Sequence, residues 1–499
     1  MISSNVKNDK WETFFRLSHP VMIMGVMALF VGGVAIAVLL GGTLGKPGLY
    51  AVGAAISAII ITLMLVLHQD ELATVIVIAV NIYVDWYLGL YIVWLVIALS
   101  FLCIFFIARS SERPWAKLHG LWLWILFLTL TIFPAIHGAL TLRDALFYYP
   151  NIIFGALICF WLGAVLARNT ASIRRFFQIL AILGDLIAVH LIIQVSTGVT
   201  LFGLSNAAGY LQDLSSGDVN RLGSFFVQPN YAGTFLAMMF FIPLGLFVES
   251  TSSLGKILYL VEMLLLLPAL LFTYSAGAWL SALVGILVFL VFVGNQSSRV
   301  QIILCIIAGA IVILVAFHTQ FSSLLQHASD PEELIQRNGL WQTAIRVIQA
   351  FPLTGIGLGQ QAYLLRAEPY RVIAQYRPYD QPHNSYLEWA AMAGLPVLLV
   401  FLALITSALW QGLRNWVRAD RRTRPLLGAG IAVTLVLCVN SWGNEGWTLP
   451  TLATLGWMIL GMISSPLLTK TQAKEVTQKK HNGPIEKFSK KIIAGGNSD

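Results

Sequence analysis

Apolar runs recur along this chain from about residue 20 to residue 467, each roughly 18 to 22 residues long, enough to cross a bilayer as a helix. A spanning helix satisfies its own backbone polar groups, so lipid admits a bundle of such runs and little else. Composition agrees: the 499 residues are 58% hydrophobic and only 11% charged, with mean hydropathy +0.78. The pattern predicts an all-α polytopic membrane protein of about 12–14 transmembrane helices. The spans fall near 20–40, 49–67, 73–88, 90–108, 118–137, 147–167, 176–197, 232–249, 256–273, 276–295, 300–318, 387–410, 425–443 and 449–467. The first is too long, and too soon followed by others, to be a cleaved signal peptide. Cys103, Cys159, Cys305 and Cys438 all lie inside apolar runs without partners at metal spacing, which argues against disulfide and zinc frameworks.

Charge sets the orientation. With the N-terminus inside, cytoplasmic segments collect most of the 31 basic residues, as the Lys/Arg bias of inner loops requires. The net charge of +8 is thereby a matter of topology and gives no ground for a nucleic-acid partner. Lys46, Arg143, Arg221, Arg337, Arg346, Arg366, Arg371 and Arg377 are left facing outward, where the bias does not call for them. The chain divides into an N-terminal transmembrane bundle (1–318, with an outward loop 196–231), one large extracytoplasmic loop (319–386), C-terminal transmembrane helices (387–467) and a cytoplasmic Lys-rich tail (468–499). The tail's composition predicts disorder and an electrostatic hold on anionic headgroups.

The large loop carries the densest polar chemistry. Asp330-Pro-Glu-Glu333 reads as a helix start, with Pro at the first helical position, and the helix runs to about Phe351. Arg337 and Trp341 share a face of it at i,i+4, as a guanidinium held by an indole or as a solvated Arg beside an interfacial Trp. Pro352-Leu-Thr-Gly355-Ile-Gly357-Leu-Gly359 lacks the preceding strand of a dinucleotide fingerprint and predicts a tight turn or a close backbone approach to a ligand. Ser385 and Glu388 form a capping box opening the next span, which sets His383 just ahead of a helix N-terminus. The helix dipole there disfavours imidazolium, so His383 is expected to be neutral, either as a general base or as a surface residue turning the chain. Asp185, His190 and Glu262 lie inside spans, where ionisable groups are costly and serve either a proton path or the bundle's cohesion.

Two stretches resemble the O-antigen ligase and O-antigen polymerase superfamily of membrane glycosyltransferases. One runs from Arg337-Asn-Gly-Leu-Trp341 through the glycine turn to His383-Asn-Ser-Tyr-Leu-Glu388 and Ala393-Gly-Leu-Pro396; the other is Arg221-Leu-Gly-Ser-Phe-Phe-Val-Gln-Pro-Asn230. The resemblance implies a GT-C-like fold in the bacterial inner membrane, with its active site on the periplasmic face. It implies transfer of a glycan from an undecaprenyl-diphosphate carrier to an acceptor hydroxyl, that of lipid A-core in a ligase or of a growing glycan in a polymerase. Under it, His383, Arg337 and Arg221 are catalytic, and Asn384, Trp341, Asn230, Tyr386 and Arg377 bind substrate. Arginine suits a diphosphate leaving group because its fork pairs with phosphate oxygens and keeps its charge. No cofactor is implied, and no outward Asp-x-Asp pair offers a metal–diphosphate site, so transfer is expected to be inverting and metal-independent. Many relatives place an Arg after a Ser where this chain reads Ser275-Ala276; Arg346, Arg366, Arg371 and Arg377 are the substitutes at hand. The rival from another class is a transporter of a small anion such as bicarbonate, which would put the burden on Asp185, His190 and Glu262.

Overall fold

The computed structural model describes residues 69–88, 119–140, 148–197, 222–226, 228–293, 296–316, 331–373 and 379–466, with 318, 322, 325 and 468. The spans expected near 20–40, 49–67 and 90–108, most of the outward loop 196–231, Arg221, Arg377 and the tail lie outside the described residues. Every regular element described is helical. In chain order these are α1 (Asp70–Leu88), α2 (Leu121–Gly138), a π-helical turn (Tyr148–Phe154), α3 (Gly155–Leu166), α4 (Thr170–Thr197), α5 (Pro229–Glu249), α6 (Ser253–Phe272), α7 (Ala276–Phe292), α8 (Gln296–Ala316), α9 (Pro331–Ala350), α10 (Gln360–Arg366), α11 (Ser385–Ala393), α12 (Leu395–Arg418), α13 (Thr423–Asn440) and α14 (Pro450–Ile463). Among the described residues, α2, α4, α5, α6, α12 and α13 are each long and apolar enough to cross a membrane, and shorter apolar helices lie at 152–166, 276–292, 299–309 and 450–463. This is an all-α polytopic membrane protein. The chain divides into a unit of residues 1–77 and a unit of residues 78–499.

The second unit is built around α5, which is apolar on every side and almost wholly buried, as a helix enclosed by other helices should be. It packs against α4, α6, α7 and α13, while α3 and α14 form the other close pair. Gly163 and Gly461 let that pair cross backbone against backbone: a Cβ on Gly163 would sit 1.9 Å from the Met458 carbonyl oxygen. Large apolar side chains on α2, α4, α6 and α7 point outward, as lipid-facing surfaces do. Between α2, α3, α11, α12 and α14 lies an aromatic cluster in which Trp447 and Trp457 meet at 4.8 Å, Trp124 and Trp457 at 5.2 Å, and Trp389 and Phe401 at 5.4 Å. Such contacts fix ring positions beyond what burial alone would do.

One predicted span is divided. The run 387–410 is two helices, α11 and α12, broken at Gly394, which takes φ 89° and ψ 163°. The sequence Gly394-Leu-Pro396 explains the break: glycine adopts the left-handed backbone and proline starts the next helix within its first turn. The shorter α11 is therefore free to lie against the loop helix α9, and it carries the site described next.

Candidate active site

The site begins at the N-terminus of α11. Asn384, not Ser385, is the cap: its side-chain oxygen accepts hydrogen bonds from the Tyr386 and Leu387 amides, both at 3.0 Å. The predicted capping box is thus displaced by one residue, and Glu388 instead accepts a 2.6 Å hydrogen bond from Thr448 Oγ1. Ser385 sews the helix start to the segment 441–449, its amide donating to the Ser441 and Asn444 carbonyls and its hydroxyl accepting from the Trp447 amide at 3.1 Å. Asn384 Nδ2 donates to the Trp442 carbonyl at 2.9 Å, so the whole amide is spent on holding the two segments together.

These bonds force the residue ahead of the cap into a sharp turn. His383 has φ 50°, in the left-handed region that side chains other than Asn, Asp and His seldom enter. The turn aims the imidazole at the segment between the last two helices. There its Nδ1 is hydrogen-bonded to Oε1 of Glu445, whose other oxygen accepts from the Tyr231 hydroxyl at 2.8 Å. The Glu445 side chain is only 3% exposed, while that of His383 keeps 24%. Tyr379 stands edge-on to the imidazole at 5.4 Å.

Arg337 reaches the same place from α9. Its charge acts on His383, and its Nη1 lies 3.4 Å from where a Cβ on Gly443 would stand. Asp380 completes the charged group, its field felt by His383 and its own carboxyl facing that of Glu445. Burial works against charge on His383, but the attraction of Glu445 and its hydrogen bond prevail, and the net effect raises the imidazole above the ordinary histidine range. Burial likewise opposes charge on Glu445, and the His383 charge and hydrogen bond overcome it, lowering that carboxyl. Burial raises the Asp380 carboxyl. The helix end is thus not what sets this imidazole: a full carboxylate in contact outweighs the partial charge of a helix terminus and moves the group the other way.

The glycine turn has a packing role. Gly355, Gly357 and Gly359 all have positive φ. The Ile356 and Gly357 amides, each at 2.9 Å, donate to the Ala391 and Met392 carbonyls at the end of α11, and Leu358 N donates to Pro134 O of α2 at 2.8 Å. Arg366 donates to the His137 carbonyl of α2 and the Ile356 carbonyl of the loop, and Arg371 pairs with Glu368 at 2.8 Å, so two of the candidate substitutes for an arginine at Ala276 are already engaged. Arg346 is exposed on α9.

Of the residues singled out in the sequence, His383, Arg337 and Asn384 converge here. Tyr386 sits beside them, its hydroxyl donating to the Cys438 carbonyl at 2.7 Å and its ring against Trp442. Asn230 is the second residue of α5, next to the Tyr231 that holds Glu445. Trp341 lies one turn beyond Arg337, half-buried, with its indole nitrogen enclosed and unbonded. Glu445 and Tyr231 were not singled out. The signal for Glu445 was the string Asn440-Ser-Trp-Gly-Asn-Glu445, unusually polar for the short link between two spans.

Apolar helices closed around a polar cluster at the end of one of them define a multi-pass membrane protein with a site at the mouth of its bundle. Residues 262–402 match the family described as O-antigen ligase. The matched stretch takes in Arg337, the glycine turn and His383-Asn384, and it ends before Glu445. Comparison with curated proteins gives no match.

Proposed function

We propose that this glycosyltransferase moves a glycan from an undecaprenyl-diphosphate carrier to an acceptor hydroxyl at the periplasmic face of the inner membrane, with inversion and without a metal. The observation that carries the reading is the His383–Glu445 contact with the Arg337 guanidinium beside it. Glu445 accepts a hydrogen bond from Nδ1–H, which leaves Nε2 with the lone pair that takes the proton of the attacking hydroxyl. As the imidazolium forms, the adjacent carboxylate stabilises it, the same division of labour as in an acid–histidine dyad. Arg337, joined by Arg221, bears on the diphosphate oxygens as the sugar–oxygen bond breaks, where a guanidinium fork is worth most. Asn384 acts as a positioning residue through its cap, and Asn230, Trp341, Tyr386 and Arg377 are substrate contacts in this reading. The acceptor is lipid A-core or the growing glycan itself.

The test is transfer by the purified protein from lipid-linked glycan to each candidate acceptor in turn. EDTA should leave the rate unchanged; loss of transfer restored by Mg²⁺ or Mn²⁺ would sink the metal-free mechanism. Release of product onto lipid A-core alone marks a ligase, and lengthening of carrier-bound chains marks a polymerase.

A pH profile examines the dyad separately. Only the neutral imidazole accepts a proton, so the rate should climb as pH rises through a value above the ordinary histidine range. Glu445→Gln removes both the attraction and the charge, so this limb should move to lower pH while the plateau drops by roughly 10²-fold. A limb that stays in place would mean that Glu445 does not govern the base.

A further inference from the structure

Asp185 and Glu262 stand near the middle of α4 and α6, two neighbouring spans, close enough for their charges to interact. Glu262 is 8% exposed, and its Oε2 and Asp185 Oδ1 are both enclosed without a hydrogen-bond partner. Above them the helices are joined by Gln178 Nε2 donating to the Tyr259 hydroxyl at 2.9 Å, and behind them α5 closes the gap, with Met239 packed on Gly184.

Among the described residues on the helices around this pair, the cations are engaged elsewhere or lie near a helix end. The other ionisable groups on α4 are Arg174, Arg175 and His190; on α5, Tyr231 and Glu249; on α6, Lys256 and Tyr259; α7 has none, and α8 carries Arg299 and Cys305. Arg174 is salt-bridged to Glu249, Lys256 lies over the Phe247 ring, and Arg299 donates to the Val291 and Val293 carbonyls. His190 bonds Ser224 through Nδ1 at 2.8 Å and stacks on Phe225. Arg175 sits ten residues before Asp185, near the helix start. Two like charges near one another at mid-bilayer are strongly unfavourable unless one of them takes a proton. Two carboxyl groups also supply too few oxygens for a bare alkali ion, whereas a proton needs only two.

We propose that Asp185 and Glu262 form a mid-membrane proton-binding site in which one carboxyl group donates to the other. The site lies apart from His383 and does not depend on the transfer reaction. With it, α4 and α6 are held by a hydrogen bond that exists only while the proton is bound.

Dicyclohexylcarbodiimide, an apolar reagent that modifies protonated carboxyl groups, provides the test on the full chain in lipid nanodiscs. Mass spectrometry should find its adduct on Asp185 or Glu262, with labelling slowed as pH is raised. The infrared stretch of a protonated carboxyl group should be present in the unaltered protein and lost in the Asp185→Asn, Glu262→Gln double variant. Transfer activity should survive in that variant. Absence of both the adduct and the band overturns the proposal, and the labelling of unaltered protein decides this even if the variant does not fold. Protection from the reagent by Na⁺ at fixed pH, with no effect of pH itself, overturns it in favour of a metal-cation site.

Discussion

His383→Ala should reduce transfer by roughly 10²- to 10⁴-fold, the usual range for losing a general base, while leaving the protein folded. The imidazole is partly open to solvent, and its removal uncovers only the Glu445 carboxylate, which still accepts from Tyr231. Single-turnover measurements with saturating lipid-linked glycan will separate the chemical step from donor binding, and the loss should lie in the former. The same experiment decides between transferase and transporter. If His383→Ala retains activity and Asp185→Asn abolishes it, the burden belongs to the buried carboxyl pair and the transferase mechanism fails.

Gly355→Ala should be the most damaging single-atom change in the loop. Gly355 has φ +61°, and a Cβ there would meet the Met392 carbonyl carbon at 2.4 Å, backbone against backbone with nothing flexible to yield. The left-handed penalty and the overlap together are expected to cost roughly 2–5 kcal/mol. The turn bonds to Ala391 and Met392 at one end of α11 while His383 sits at the other, so activity should fall with stability. Gly277→Ala is the control, because its Cβ would meet only Asn440 Nδ2 at an ordinary 3.5 Å. Thermal unfolding in detergent should show a clear drop for the first and almost none for the second; equal effects would mean that the close approach at Met392 does not hold the loop.

Much of this architecture could be read before any coordinates, and the reason is physical. A bilayer leaves an apolar run of spanning length one conformation, so helices such as α5, α6 and α13 follow from hydropathy alone. His383 and Arg337 stood out because charged and imidazole groups outside the membrane are not demanded by topology. What escaped depended on distances across the fold. Glu445 lies in a brief link between two spans, and only folding shows that its carboxylate meets an imidazole 62 residues earlier in the chain. The influence of Glu445 on His383 was missed for the same reason, since a local helix end was visible in the sequence and a remote carboxylate was not. Asn384 and Ser385 are both good caps, and the bonds of Ser385 to the segment 441–449 leave the capping to Asn384. The break at Gly394 was spelled out by Gly394-Leu-Pro396, but the apolar residues on either side read as one unbroken span.

The Glu445 carboxylate is gripped from two directions, by a phenol on the fifth helix and by an imidazole on the loop. A polypeptide shortened at residue 402, where the family likeness ends, would keep the proposed base and forfeit its acid companion. Supplying residues 403–499 as a separate chain should restore the pairing if the fragments associate, which offers a route to switching the proposed activity on by assembly.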